Sequence, residues 1–195
     1  AHYSSACFDV EYEFDFGWSE LEGIADRGTF DLDQHIEASG KKLTYFDQVN
    51  NQHIIPAVVE ASAGVDRALL TILADAFTKE DVNGESRTVL KLSPKIAPIK
   101  VAVFPLFNKN NMPEISQKIV EEMKKSGIAC FYDAGGSIGK RYRRQDEAGT
   151  PFGITVDHDT LEDNTVTLRD RDTMKQDRIS IDQIIPKIKD LIPNS

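Results

Sequence analysis

VVEASAGVDRALLTILADAF, residues 58–77, changes its hydrophobic period partway along. A β-branched run (Ile54, Ile55, Val58, Val59) ends on the carboxylate of Glu60 and gives way to the small residues Ala61, Ser62, Ala63 and Gly64. Beyond Arg67, the residues Leu69, Ile72, Leu73, Ala76 and Phe77 recur at i, i+3, i+4, i+7 and i+8. That spacing predicts a buried helix with Arg67 in its first turn. The stretch is therefore expected to be a strand, a small-residue loop and a core helix. Small residues let a ligand approach the backbone, and a helix start with an arginine suits a phosphate. Glu60, across the loop, suits an ammonium group. Two readings stand: a site for a small zwitterion beside a nucleotide phosphate, or a core junction in which Glu60 and Arg67 pair with each other.

Around this stretch the totals describe an ordinary globular chain of 195 residues, 40% hydrophobic and 28% charged. No apolar run approaches the roughly 18 residues that span a bilayer, and no signal-peptide pattern opens the chain, so no membrane partner and a cytoplasmic location are expected. Cys7 and Cys130 lie far apart without metal-ligand spacing, and no metal centre is predicted. The chain opens without methionine, directly into strand-like sequence, and is expected to be a piece of a longer protein. Net charge is −9. Residues 1–93 carry 17 acids and 7 bases, whereas residues 94–195 carry 15 and 16. The first half repels nucleic acid in bulk and the second can approach it through a local basic face. This asymmetry predicts two domains, 1–94 and 95–195, meeting at Pro94–Pro98, where the two prolines break any helix.

In the first half, Val10, Tyr12, Phe14 and Phe16 alternate with Glu11, Glu13 and Asp15, as in a half-buried antiparallel strand. Gly17–Trp18 interrupts it and residues 20–25 continue as a second strand. Glu20 there faces either a pocket or solvent. Residues 29–39 read as a helix closed by Gly40, residues 41–52 as a polar hairpin, and residues 78–86 as a polar loop around Asn83-Gly84, followed by a short strand at 88–92. His2, His35 and His53 have no partners at ligand spacing.

The second half alternates strand and helix. Strands are predicted at 100–106, 128–132, 152–156 and 165–169, and helices at 113–126, 137–148 and 180–192. This order describes a compact α/β domain with a mixed sheet. The helix at 137–148 carries Lys140, Arg141, Arg143 and Arg144 around Tyr142. It is either a phosphate-backbone contact with a stackable aromatic or a solvated face paired with Asp146 and Glu147. The alternating run Leu168–Asp172 offers Arg169 in the same two roles.

Three runs in the first half, Phe16-Gly17-Trp18-Ser19-Glu20-Leu21-Glu22-Gly23-Ile24-Ala25-Asp26-Arg27, Asp31-Leu32 and Val59-Glu60-Ala61-Ser62-Ala63-Gly64-Val65-Asp66-Arg67, resemble the catalytic domain of class II aminoacyl-tRNA synthetases, the last being their third motif. The second half, through Ala97-Pro98, Lys100–Pro105, Gly136–Glu147 and Thr167–Met174, resembles the anticodon-binding domain of the glycyl, threonyl, prolyl and histidyl enzymes. Over almost the whole chain the similarity is to bacterial-type homodimeric glycyl-tRNA synthetases. It implies a fold of mixed class: an α+β catalytic-domain remnant with an antiparallel sheet, then a mixed-sheet α/β anticodon-binding domain.

The resemblance further implies ATP-dependent activation of glycine to glycyl-adenylate and transfer to tRNA(Gly), in a parent that is a homodimer. Arg67 would bind the ATP γ-phosphate, with Gly64, Val65 and Asp66 backing the nucleotide. Glu20 and Leu21 would contact ATP, Glu20 through Mg²⁺. Glu60 and Ser62 would take the glycine ammonium, in a loop of Ala61, Ala63 and Gly64 that leaves no room for a side chain. Arg141, Arg144 and Arg169 would contact tRNA. Ala61 departs from the family's usual proline, and nothing matches the first two class II motifs. The chain alone is therefore expected not to aminoacylate, although its parent does. The alternatives are a non-catalytic RNA-binding accessory protein of the same shape, or a sister class II synthetase.

Overall fold

The structure, a computed structural model, describes residues 4–192; His2 lies outside them. The chain mixes helix and strand and divides into two compact units, up to Ala74 and from Asp75.

In the first unit, strands β1 (Ala6–Phe14) and β2 (Gly17–Gly28) form an antiparallel hairpin, and β5 (Val58–Ala63) pairs antiparallel with β2 on its other side. The hairpin closes through Asp15–Phe16 with Gly17 at φ +106°, a conformation open to glycine and rarely to other residues. The register sets Gly23 opposite Ser62 and Ala25 opposite Glu60. Between β2 and β5 come helix α1 (Phe30–Ser39), closed by left-handed Gly40, and the small hairpin β3 (Tyr45–Asp47) and β4 (Gln52–Ile54).

Helix α2 (Val65–Ala76) comes directly after β5. Its period is as expected, but its burial is not. Leu69 is 56% exposed, Ile72 and Leu73 are 39% exposed, and only Ala76 is buried. The i, i+3, i+4 pattern encodes an apolar face without supplying a layer to cover it. Phe8, Trp18 and Val59 on the sheet, and Phe16 in the hairpin turn, are likewise exposed.

The second unit opens with the hairpin β6 (Phe77–Val82) and β7 (Glu85–Leu90). Residues expected as a loop are thus a paired strand, and Phe77 belongs to that strand, not to the helix. Asn83 and Gly84 both have positive φ and form the two-residue turn whose twist suits a hairpin. The main sheet has the order β12-β11-β10-β8-β9, from β8 (Val101–Pro105), β9 (Cys130–Tyr132), β10 (Phe152–Val156), β11 (Thr165–Asp170) and β12 (Gln176–Ser180). β9 and β10 flank β8 in parallel, while β11 and β12 add antiparallel. The helices are α3 (Met112–Lys125), α4 (Ile138–Ala148), α5 (His158–Asp163) and α6 (Ile184–Leu191). The short α5, held by a reciprocal capping box between Asp157 and Thr160, and the strand β12 have no counterpart among the expected elements. The final helix expected at 180–192 is present, beginning with a 3-10 turn at Ile181–Gln183 before α6. The β12 sequence Gln176-Asp177-Arg178 is polar because it lies at the sheet edge, where alternation is weak.

The core of this unit gathers Val101 and Val103 of β8, Ile119 and Met123 of α3, Ile154 and Val156 of β10, Val166 of β11 and Ile188 of α6. Ala76, Leu92 and Ala97 form a second, smaller cluster. The division into compact units therefore falls well before Pro94: bonds from Arg87 and Arg171 hold the hairpin β6–β7 to α4 and to the end of β11.

Candidate functional site

In the first unit, α2 begins where β5 ends, so its first turn faces the β2 strand that runs beside β5. The Arg67 guanidinium donates to Ser19 Oγ at 2.6 Å and to the Glu20 carbonyl at 2.7 Å. A cleft of about 380 Å³ opens there, lined by Ser19, Glu20, Leu21, Ser62, Gly64 and Arg67, within the range of small-ligand sites. Gly64 lines it, and Gly23 lies beside Glu20. Gly23 leaves room beside Glu20, whose Oε1 would lie 3.5 Å from a Cβ there. A Cβ at Gly64 would meet Arg67 Cβ at an ordinary 3.7 Å. The chain's own packing thus does not require glycine at 64, and the space it leaves is available to a ligand.

Glu20, Leu21, Ser62, Gly64 and Arg67 are brought together. Glu60 is not part of that lining. It sits on the same face of β5 as Ser62, two residues back, and accepts from Arg27 Nη1 at 2.8 Å. Arg27 is also bidentate to Asp31, through Nε and Nη2. The hydrogen bonds from Arg27 hold the Asp31 carboxyl below its ordinary pKa. The Glu60–Arg67 pair of the core-junction reading does not form: the acid is held by Arg27 and the base by Ser19 and the Glu20 carbonyl. Arg27 is the partner that sequence reading left without a role, because the two residues lie on neighbouring strands and are far apart in the chain. Ala61 and Ala63 alternate to the other face of β5, and Val65 and Asp66 lie exposed in the first turn of α2.

One carboxylate, Glu20, faces the cleft, and no group of three or more His, Cys, Asp or Glu side chains suited to a metal occurs among the described residues. Mg²⁺ commonly binds through one or two carboxylates together with substrate phosphates. These residues fit an ion brought in with a nucleotide, held by Glu20, and not a protein-made cage.

In the second unit, a cavity of about 370 Å³ lies at the C-terminal ends of the parallel strands β8 and β10, beside the start of α4. Ligands favour that end of a parallel sheet. Leu106, Ile138, Gly139, Tyr142, Thr155, Asp157, Thr167 and Gln176 line it. The Tyr142 hydroxyl is 2.6 Å from Thr155 Oγ1, and its ring meets Phe104 edge-on at 4.9 Å. Burial pushes the Tyr142 phenol above its ordinary pKa, so it stays a neutral hydrogen-bonding group. Gly153 lies under the ring: a Cβ there would sit 2.5 Å from Tyr142 Cε1. Gly153→Ala is expected to destabilise this unit by about 1–3 kcal/mol through overpacking, read from its urea midpoint. A further cleft of about 430 Å³, between α3 and the end of β12, is lined by Ile115, Ile119 and Ile181 together with Lys118, Glu122, Asp163 and Asp182.

Of the three arginines expected at the surface, two are interior. Arg141 is 3% exposed and donates to the carbonyls of Pro105 and Gly136. Arg169 is 7% exposed and donates to both oxygens of Asp146. Arg144 is half exposed and pairs with Asp133 at 2.5 Å. A guanidinium inside a fold needs a carboxylate or carbonyl partner: carbonyls serve Arg141, and Asp146 serves Arg169.

Asp146 also receives Arg87, from outside the main sheet. Arg87, on β7, is 0% exposed. It donates to Asp146 Oδ2 at 2.9 Å, to Glu80 and to the Arg171 carbonyl at 2.6 Å. Burial pulls its pKa down, but Asp146 and Glu80 outweigh that and raise it. Arg171, 2% exposed, reaches the carbonyls of Gly149 and Leu92. This network fastens the hairpin β6–β7 to α4 and to the end of β11.

Residues 100–191 match the family described as Anticodon binding domain. The chain is 55% identical, over 94% of its length, to the glycine–tRNA ligase of Caldanaerobacter subterraneus subsp. tengcongensis, covering 39% of that protein. It is 51% identical to the glycine–tRNA ligase of Chlorobaculum tepidum over 93% of the chain and 38% of the relative. To that of Borreliella burgdorferi it is 47% identical over 100% of the chain and 44% of the relative. The chain spans about two fifths of the length of the curated relatives it matches.

Proposed function

As a relative of the glycine–tRNA ligases along nearly its whole length, carrying an anticodon binding domain at residues 100–191, this chain, we propose, supplies the ATP, glycine and tRNA contacts of such a ligase. By family its organisation is read as 1–94 for the catalytic part and 95–195 for the anticodon-binding part. The parent protein would activate glycine with ATP, pass it to tRNA(Gly), work as a homodimer and reside in the cytoplasm. No described helix is long and apolar enough to cross a membrane.

The observation that carries this reading is the Arg67 cleft. Its guanidinium stands at a helix start, held by Ser19 and the Glu20 carbonyl, and Gly64 leaves space beside it. In this reading Arg67 and the first-turn N–H groups of α2 hold the nucleotide's terminal phosphate, with Val65 and Asp66 alongside. Glu20 and Leu21 border the nucleotide, and Glu20 holds the accompanying Mg²⁺, which neutralises phosphate charge when bound. Ser62 faces the amino acid, and Glu60, two residues along the same strand face, directs its carboxylate to the ammonium in competition with Arg27. Gly64 keeps the wall beside Ser62 small, which excludes larger amino acids by bulk, whereas Ala61 and Ala63 lie on the other face of the strand. Attack of a carboxylate on a phosphate asks for positioning and charge neutralisation, and no protein nucleophile is needed.

For tRNA, the cavity beside Tyr142 takes an unstacked base, and Arg144 with Lys140 and Arg143 approaches the backbone. Single-stranded RNA is read by such splaying and stacking. Arg141 and Arg169 serve by holding the cavity walls. The test is ATP–pyrophosphate exchange with each amino acid, on this chain and on a longer parent polypeptide. Exchange with glycine in the parent and none in this chain is expected. Exchange in neither favours the accessory RNA-binding reading, and exchange with another amino acid a sister enzyme.

A further inference from the structure

The Asp146 carboxylate joins two things that the sequence keeps apart: a hairpin outside the main sheet and the wall of the second unit's cavity. On one side Arg87 donates to Oδ2 at 2.9 Å; on the other, Arg169 donates to Oδ1 at 3.0 Å and to Oδ2 at 3.3 Å. The Arg169 guanidinium lies over the Tyr142 ring, 4.8 Å from its centre, an attraction that strengthens where water is excluded. Tyr142 in turn meets Thr155 Oγ1 at 2.6 Å, and both side chains line the cavity. A continuous line of buried polar contacts thus runs from β7 to the cavity wall.

We propose that Arg87 and Asp146 are positioning residues for RNA recognition: the Asp146 carboxylate, anchored by Arg87, fixes Arg169 over Tyr142 and so sets the shape of the base-binding cavity. This rests on the RNA reading of that cavity. Asp146 is the carboxylate partner of Arg169 among the described residues, so the place of the Arg169 guanidinium depends on how Asp146 is held. Arg87 supplies the hold from the far side, itself fixed by Glu80 and the Arg171 carbonyl. Without Arg87, Oδ2 loses its anchor on the far side, the carboxylate can turn and carry Arg169 off the ring, and Tyr142 loses the platform on one face. Networks of this kind polarise one another and respond as a unit.

The experiment uses the full chain labelled with ¹³Cζ-tyrosine, the Tyr142 resonance being assigned by its loss in Tyr142→Phe. Arg87→Lys keeps the positive charge, but one ammonium cannot reproduce the fork. The variant should unfold cooperatively in urea, shift the Tyr142 resonance, and bind an unmodified tRNA(Gly) transcript about tenfold more weakly, the size expected of residues acting through a network. The salt dependence of binding should not change, because phosphate contacts are untouched. Glu80→Gln loosens Arg87 Nη1 alone and should move both readouts in the same direction by less; it decides the matter if Arg87→Lys does not fold. An unmoved Tyr142 resonance with affinity within twofold of the original would overturn the proposal. If the original chain binds no transcript, the RNA reading fails, and the positioning role is then judged by the resonance alone: a shift supports it and constancy refutes it.

Discussion

Asp146→Ala should cost the second unit about 3–5 kcal/mol, the usual loss when one partner of a buried ion pair is removed. The carboxylate is held by Arg87 and Arg169 at 2.9 and 3.0 Å, with Arg143 farther out at 3.6 Å. Arg87 and Arg169 are almost without water contact. Truncating Asp146 leaves their two guanidiniums facing each other inside the fold, and neither can lose its proton to escape the penalty. Asp146→Asn keeps an acceptor and the volume but not the charge, and should cost less. Asp133→Ala, which removes the partner of the half-exposed Arg144, is the control and should cost no more than about 1 kcal/mol. Urea midpoints with unchanged slopes would measure all three. Equal midpoints for Asp146→Ala and Asp133→Ala would mean that the buried network contributes nothing beyond a surface pair.

Arg67→Ala in the longer parent should lower glycine-dependent pyrophosphate exchange by about 10²–10³-fold, the range seen when a preorganised charge-stabilising donor is lost. Binding of a tRNA(Gly) transcript should stay within twofold. Arg67 has two tasks here, to hold Ser19 and the Glu20 carbonyl on β2 and to present charge to the cleft. Arg67→Lys keeps a charge but cannot hold both β2 acceptors and a phosphate at once, so it should fall between. Exchange unchanged in Arg67→Ala would remove the cleft from the catalytic account. Loss of transcript binding alongside exchange would point to a general folding role.

The elements that announced themselves in the sequence are those with strong local periods. The α2 helix, the β1–β2 hairpin, the glycine that closes α1 and the alternating strands and helices of the second unit all derive from side-chain spacing. What local spacing does not carry is the partner. Leu69, Ile72 and Leu73 have the correct period for a helix face, yet burial depends on a covering layer that the pattern cannot specify. Residues 78–86 looked like a loop because Thr78, Lys79, Glu80 and Asp81 are polar; strand formation there is dictated by the Asn83-Gly84 turn and by pairing with β7. In the Arg67 cleft, Glu20, Leu21, Ser62 and Gly64 could be named from the resemblance, whereas the bond between Arg27 and Glu60 spans two neighbouring strands and leaves no linear trace. Arg141 and Arg169 were read as surface charge because a basic cluster usually is. Their burial is owed to Asp146 and to the carbonyls at the sheet's end. A lone Arg87 in a polar hairpin gave no signal at all.

The Arg87–Asp146 contact bears on how such a protein can be taken apart and recombined. In the reading proposed above, the seam between catalytic and anticodon-binding parts falls in the proline-marked stretch after the hairpin. Energetically the hairpin travels with the C-terminal unit, because Arg87 and the Arg171–Leu92 bond hold it there. A graft made at the prolines would hand the recipient an anticodon module whose central acid, Asp146, keeps Arg169 but has lost Arg87. Lineages that exchange this module, or laboratories that do, carry it intact only if the crossover lies before Phe77, so the unit of inheritance is larger than the unit of resemblance.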